Sequence, residues 1–209
     1  MKQGKVRSAI LISGRGSNMH ALLDAARQNA DFPATFELVI SDRPDAPGLD
    51  AAQQAGCKVL ALQQTDAGKA AWEAELTILL HQADIELVCL AGFMRLLSGG
   101  FLAGLGCPVL NIHPSLLPDF PGLNAQAQAL HAGAGIAGCT VHEVTDVMDA
   151  GPIIEQAQVP VQQSDSVAAL SARILREEHR LYPSCVARFI RERLRRSSSP
   201  QPETPIHAY

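Results

Sequence analysis

The stretch VRSAILISGRGSNMHALLDAARQ, residues 6–28, joins an apolar run to an amphipathic pattern through a loop with two glycines. The apolar run lacks the period-two alternation of a half-exposed strand, so it predicts a strand covered on both faces. The spacing of apolar residues after Ser17 predicts a helix. A buried strand that leads through a glycine loop into a helix is typical of an open α/β sheet.

The same alternation continues through the first half of the chain. Four further apolar runs predict parallel strands, at 35–42, 58–62, 85–92 and 108–114. Helical spacing lies between them, at about 47–55 and at 67–83. Strand, helix and strand repeated in this way predict a doubly wound open sheet, mostly parallel, with right-handed crossovers.

After residue 120 the pattern changes. It predicts a short helix at 125–133, a C-terminal antiparallel addition of two strands at 137–146 and 151–161, and a long closing helix from about 166 to 195. We expect one domain over 1–195, with a phosphate-substrate half at 1–105 and a catalytic half at 106–195. The tail 196–209 is rich in Ser and Pro and is predicted to be disordered.

Composition favours a small-molecule ligand. The net charge is −4 and the pI about 5.9, so no basic face is expected for nucleic acid or an anionic membrane. No apolar stretch approaches the roughly 20 residues of a membrane helix, and we expect a cytoplasmic protein of open oligomeric state. The five cysteines have no CxxC or Cys/His spacing, so we expect buried small hydrophobes and no metal site: Cys57, Cys89, Cys107, Cys139 and Cys185.

The loop ISGRGSN, residues 12–18, lies where an open α/β sheet binds phosphate. Its glycines permit a tight turn, Ser17 can cap the helix, and the first helical N–H groups attract an anion. A Walker A loop would need Gly-Lys-Ser/Thr, which is absent, and Met19 replaces the third glycine of a dinucleotide fingerprint. A monophosphate is therefore favoured, while a nicotinamide site with Asp42 as its ribose acid, or a turn that binds nothing, remains open.

The segment LNIHPSLLPDFPG, residues 110–122, brings Asn111 and His113 to the carboxyl end of a predicted central strand. Side chains two apart share a face, so both can point at one reacting atom, with the imidazole moving a proton and the amide donating to an oxyanion. In TDVMDAGP, residues 145–152, Asp149 is the candidate carboxylate that favours the charged imidazole. His142, inside a strand pattern, is interpreted as a structural histidine bonded within the sheet.

These segments together resemble a known family. The Asn-x-His-Pro-Ser-Leu-Leu-Pro element at 111–118, the Asp149 loop, AGFMRLLS at 91–98 and ISGRGSN occur in the order found in formyltransferases that use 10-formyltetrahydrofolate. Through about residue 194 the chain is similar to the phosphoribosylglycinamide (GAR) formyltransferase family of purine synthesis. The resemblance implies 10-formyltetrahydrofolate as formyl-donor cosubstrate, GAR as acceptor, and no metal, nucleic acid or membrane partner.

The resemblance also implies three sets of site residues. The catalytic group would be Asn111, His113 and Asp149. GAR would be held by Gly16, Ser17, Asn18 and Glu178. The folate would contact Asn111 and Asp149 together with Lys69, Met94, Arg95, Leu96 and Leu97, partly through backbone groups.

Some positions depart from that family. Lys69 stands where arginine is usual and lacks its planar fork. Asp119 replaces a frequent lysine, and Glu143 replaces a frequent aromatic residue. Methionyl-tRNA formyltransferase and formyltetrahydrofolate hydrolase share the Asn-x-His motif, but they would need a further domain after or before this one. A nicotinamide oxidoreductase and a non-catalytic nucleotide-binding module are the alternatives from other classes.

Overall fold

A computed structural model of the chain describes residues 4–198, with side chains as far as residue 195. Seven strands form one sheet in the order β3-β2-β1-β4-β5-β6-β7. The strands are β1 (Val6–Ile12), β2 (Ala34–Ser41), β3 (Lys58–Ala61), β4 (Leu87–Leu90), β5 (Val109–His113), β6 (Ile136–Glu143) and β7 (Ile153–Pro160). The helices are α1 (Ser17–Gln28), α2 (Pro47–Gln54), α3 (Gly68–Gln82), α4 (Gly99–Leu105), α5 (Ala125–His131) and α6 (Val167–Ser198).

The sheet is parallel through β5 and antiparallel beyond it. β1 pairs in parallel with β2 and with β4, and β4 pairs in parallel with β5. β6 runs antiparallel to β5, and β7 antiparallel to β6. This confirms the doubly wound, mostly parallel sheet with a C-terminal antiparallel addition and a closing helix. The part of the predicted tail from 199 to 209 lies outside the described residues.

Two apolar cores cover the two faces of the sheet. On one face Ile10 and Ile12 pack in a cluster with Tyr182 of α6. On the other face Leu11 packs in a cluster with Trp72 of α3. Because successive residues of β1 enter different cores, its sequence is continuously apolar rather than alternating.

Helix α4 has no counterpart among the predicted elements. Its sequence GGFLAGL contains three glycines, which have low helix propensity, so its pattern gave no helical signal. Ser98 caps it, since its Oγ accepts a hydrogen bond from the Phe101 N–H at 3.1 Å. The buried carboxylate of Glu73 accepts two hydrogen bonds from Ser98 and so joins α3 to α4.

The cysteines agree only in part with expectation. Cys89, Cys139 and Cys185 are buried, whereas Cys57 and Cys107 are only partly buried. The prediction of five buried thiols is therefore wrong for the two that lie just before β3 and β5. Within residues 4–198, no helix has the length and apolarity needed to cross a membrane.

Candidate active site

The candidate site begins at the carboxyl end of β5, near the middle of the sheet. Asn111 and His113 leave the strand on the same face, and His113 is buried. The segment after β5 folds back over this end, so that the His113 Nε2 atom lies 3.1 Å from the carbonyl oxygen of Phe120. The structure thus places the imidazole at the ligand-binding edge of an open sheet.

Asp149 reaches the same imidazole from the loop between β6 and β7. Its Oδ2 lies 3.4 Å from His113 Nδ1 and accepts a hydrogen bond from the Gly122 N–H at 2.8 Å. Only 10% of the Asp149 side chain and 7% of the His113 side chain are exposed. The two side chains that sequence reasoning paired across 36 positions therefore meet in a nearly dry environment, where their attraction is only weakly screened.

Each ring nitrogen of His113 faces an oxygen that can accept a hydrogen bond. Nε2 faces the Phe120 carbonyl oxygen, and Nδ1 faces the Asp149 carboxylate. A ring that donates to both oxygens at once is an imidazolium with a counter-charge beside it.

The Asp149 loop is held close to the end of β6 by a glycine. A Cβ atom at Gly151 would lie 1.8 Å from the carbonyl oxygen of Glu143, so no larger residue fits there without displacing the loop. The Glu143 N–H also donates to the carbonyl oxygen of Pro152 at 3.0 Å. Asp149 itself has a φ of 52°, a left-handed conformation that aspartate adopts more readily than most residues.

His142 also belongs to this site, which sequence reasoning missed. Its Nε2 lies 3.1 Å from Asn111 Nδ2 and 3.7 Å from Asp149 Oδ1. Burial is the main cause that lowers the pKa of His142 from its ordinary value. The expected bonding within the sheet is confirmed, but His142 is opposite Asn111 in the β5–β6 register. The pairing of β5 with β6 is therefore the signal that would have placed His142 beside Asn111 in the candidate site.

A metal is not indicated by this cluster. Although two imidazoles and a carboxylate meet here, no group of three or more His, Cys, Asp or Glu side chains among residues 4–198 has an arrangement that could hold an ion.

The glycine loop forms the N-terminus of α1. Gly16, with a φ of 70°, is the N-cap, and no side chain caps this helix among the described residues. The prediction that Ser17 caps the helix is wrong, because Ser17 is already its first residue. The first-turn N–H groups are thus left without a side-chain acceptor, which is the arrangement that binds an anion.

Asn18 and Glu178 meet beside this loop. The Asn18 Nδ2 donates to Glu178 Oε2 at 2.7 Å, and both residues are buried. Burial raises the pKa of Glu178, and the Asn18 hydrogen bond partly opposes that rise. One N–H of the Asn18 amide is therefore engaged by the carboxyl group of Glu178, and a phosphate at this loop would depend mainly on backbone N–H groups and on the half-buried Ser17.

The Met-Arg-Leu-Leu segment lies next to the glycine loop. The Met94 N–H donates to Ser13 Oγ at 2.9 Å, which ties the segment to the end of β1. Met94 is 66% and Leu96 61% exposed, whereas Leu97 is buried in the core and does not offer its side chain to a ligand.

The side chain of Arg95 is engaged by the protein itself. Its Nε donates to Asp42 Oδ2 and its Nη1 to Gln64 Oε1, each at 2.6 Å, and the guanidinium lies 5.7 Å from the Trp72 ring centroid. Asp42 is therefore buried beneath an arginine and not open to a ribose, which weighs against the nicotinamide alternative.

The remaining positions of interest lie at the rim. Lys69 is exposed on the first turn of α3, with its Nζ 3.7 Å from Glu73 Oε1. Asp119 is exposed, and Glu143 is half-buried at the end of β6. The roles assigned to the site residues stay predictions, but the structure brings the catalytic group together and joins Asn18 to Glu178.

Comparison with known proteins identifies relatives of the whole domain. The Formyl transferase family model matches residues 6–186. Phosphoribosylglycinamide formyltransferase of Escherichia coli (strain K12) is 42% identical over 190 residues, covering 89% of this chain and 88% of its own length. Glycinamide ribonucleotide transformylase 1 from Symbiobacterium toebii has 48% identity and a TM-score of 0.86, with 91% of each chain covered.

Other relatives are much longer. The trifunctional purine biosynthetic protein adenosine-3 of Drosophila melanogaster is 45% identical over 192 residues, which cover 91% of this chain. The matched region spans only 14% of that protein.

Proposed function

The chain belongs to the formyl transferase family, and from that premise we propose that it transfers the formyl group of 10-formyltetrahydrofolate to the primary amine of GAR in purine biosynthesis. Relatives that match nearly the full chain are named for GAR formyl transfer. The observation that carries the proposal is the convergence of Asn111, His113 and Asp149 at the same sheet edge as an uncapped helix N-terminus.

The GAR half of the site would lie at the carboxyl end of β1 and the N-terminus of α1, beside Glu178 in the interior of α6. The phosphate of GAR would bind the first-turn N–H groups of α1, and Glu178 would face the rest of the molecule. Glu178 is held by Asn18 rather than by a cation, so its carboxyl group remains a hydrogen-bonding partner for a substrate with hydroxyl or amine groups. The folate would lie along the exposed residues Met94 and Leu96.

The chemistry follows from the polar group at β5. The neutral amine of GAR attacks the formyl carbon, which forms a tetrahedral intermediate with a charged oxygen and an ammonium nitrogen. Protonated His113 and the Asn111 amide stabilise that oxygen. Asp149 stabilises the imidazolium and organises the movement of the proton from the attacking nitrogen to the leaving folate nitrogen.

One hydrogen bond must be exchanged for this reaction to occur. The Phe120 carbonyl oxygen occupies the position at His113 Nε2 that the formyl oxygen would take. Substrate binding would therefore replace a protein acceptor with the oxygen that gains charge. Holding two large substrates in line would supply much of the rate, a contribution that reaches roughly 7–11 kcal/mol in favourable cases.

The test is a formyl-transfer assay with synthetic GAR and 10-formyltetrahydrofolate, run beside a reaction that lacks GAR. We expect formylated GAR to appear, and we expect His113→Ala, Asn111→Ala and Asp149→Ala each to lower kcat by about 10²–10³. His131→Ala, which removes an exposed imidazole on α5, serves as the matched control and should change kcat little. Release of formate with water as the sole acceptor, or near-normal turnover in all three variants, would contradict the proposal.

A further inference from the structure

We propose that neutral His142 is a positioning residue, which fixes the orientation of the Asn111 amide by accepting a hydrogen bond from it. This inference rests on the proposed formyl transfer, because it assigns Asn111 its use as an oxyanion donor. It adds a fourth side chain to the group of three, one that acts through Asn111 and not by contact with the substrate.

The contact follows from strand pairing. Asn111 on β5 and His142 on β6 are directly opposite in the antiparallel register, so their side chains lie on the same face. The Asn111 Nδ2 and His142 Nε2 atoms are 3.1 Å apart. An amide nitrogen can only donate, so the ring nitrogen that faces it must be the one with a free lone pair.

The second ring nitrogen determines the tautomer. His142 Nδ1 lies 2.9 Å from the carbonyl oxygen of Glu143, which can only accept. The proton of the neutral ring is therefore on Nδ1, and Nε2 is the acceptor. The opposite orientation of the Asn111 amide would require a proton on both ring nitrogens, and burial disfavours the charge that this creates.

The charged groups around the ring agree with a neutral His142. Asp149, in the β6–β7 loop, favours protonation, while His113 on β5 opposes it, and burial is the largest cause that lowers the pKa of His142. Asp149 Oδ1 is 3.7 Å from Nε2, which is too far for a hydrogen bond, whereas the Asn111 amide is within range. One carboxylate thus lies between two imidazoles, with its Oδ2 closer to His113 and its Oδ1 farther from His142.

The arrangement leaves one amide N–H of Asn111 available. The side chain makes a single hydrogen bond among residues 4–198, the one to His142, and Asn111 is only half-buried. The amide group is planar, so fixing one N–H also fixes the direction of the other. A protonated His142 would instead attract the Asn111 carbonyl oxygen to Nε2 and turn the amide away from that direction.

The experiment compares His142→Ala with His142→Gln, whose Oε1 can replace Nε2 as an acceptor. We expect His142→Ala to lower kcat by about 10–100-fold with both KM values within about threefold, since misorientation of a reacting group costs up to about 10²-fold. The kcat of His142→Gln should stay within about fivefold of the wild-type value, and the kcat of the control His131→Ala should equal the wild-type value.

The pH profile and the ring protonation give readouts that a purely structural role would not change. In the wild type we expect kcat to fall as the pH drops through the lowered pKa of His142, below the ordinary 6.5, and this acid limb should shift to lower pH in His142→Gln. Nitrogen-15 spectra of the ring at neutral pH should show a proton on Nδ1 and none on Nε2.

Two results would overturn the inference: a proton on Nε2 at neutral pH, or a His142→Ala variant with wild-type kcat and an unchanged acid limb. Wild-type protein that transfers no formyl group to GAR would refute the proposed function instead, and the protonation state of the ring would then decide whether His142 holds Asn111.

Discussion

The substitution Asp149→Asn tests how much of the rate depends on the charge beside His113. The two side chains are 3.4 Å apart and at most 10% exposed. With His113 protonated, as the proposed mechanism requires, the Coulomb attraction at an effective dielectric constant of about 20 is about 5 kcal/mol before the cost of desolvating the two charges. Losing one donor or counter-charge at an oxyanion site typically costs about 10²–10³ in kcat, equivalent to about 2.7–4 kcal/mol. The lost attraction is large enough to supply that amount.

The asparagine leaves most of the structure in place. Its Oδ1 can still accept the hydrogen bond from the Gly122 N–H, so we expect the loop to keep its position and the variant to remain folded. The assay is kcat for GAR formylation at saturating concentrations of both substrates, with urea unfolding measured on the same samples. Asp146→Asn, an exposed aspartate of the same loop, is the matched control and should behave as wild type. An Asp149→Asn variant with kcat within about threefold of wild type would show that the carboxylate charge has no part in the reaction.

Three further substitutions test other parts of the site. Glu178→Gln should raise the KM for GAR without lowering stability at neutral pH. Burial raises the pKa of Glu178, so the stabilisation from its protonated carboxyl group is fully present below the unfolded pKa near 4.5. That stabilisation is lost as the pH rises through the raised pKa of the folded state. Calorimetry should show that the Glu178→Gln variant lacks this pH dependence of stability. A lower melting temperature for the variant than for the wild type at neutral pH would contradict the prediction. Arg95→Met should lower the free energy of unfolding in urea by about 2–3 kcal/mol, because the buried Asp42 loses its cation, and adding Asp42→Asn should recover part of that loss. An unchanged unfolding midpoint in Arg95→Met would contradict a stabilising role for this ion pair. Gly151→Ala would place a methyl carbon about 1.8 Å from the Glu143 carbonyl oxygen, so the Asp149 loop must shift. We expect kcat to fall at least tenfold while the circular dichroism spectrum is retained. Full activity would show that the loop position is not critical.

The fold was predictable because its central strands, β1, β4 and β5, are covered on both faces. Such strands read as continuous apolar runs, and five predicted runs, most of them separated by helical patterns, leave few topologies open. Helix α4 could not be found in the same way, since GGFLAGL has poor helix propensity and is held by tertiary contacts. The carboxylate that accepts the hydrogen bonds of the capping residue Ser98 belongs to Glu73, 25 positions earlier, and a local sequence pattern does not record that contact.

The site was predictable where its chemistry lies in short motifs. Asn111 and His113 share a face of one strand, which spacing alone indicates. Asp149 was predicted as the carboxylate partner from its place in a loop between two predicted strands, and the family resemblance implied the same role. Its distance from His113 could not be predicted, because it depends on where the β6–β7 hairpin places that loop. His142 was missed because its role depends on the register of β6 against β5, which side-chain spacing within β6 does not reveal.

The two loops that cover His113 depend on each other. Phe120 and Asp149 both have a left-handed backbone, with φ values of 54° and 52°, and such residues cost of order 1–3 kcal/mol each unless neighbouring contacts compensate. The contacts that compensate are those of the site: the Phe120 carbonyl faces His113 Nε2, and the Asp149 carboxylate accepts the Gly122 N–H and faces His113 Nδ1. His113 therefore links the two loops as well as facing the cleft. A substrate that takes the place of the Phe120 carbonyl would remove one of these contacts, while Asp149 keeps the imidazole in position through the exchange.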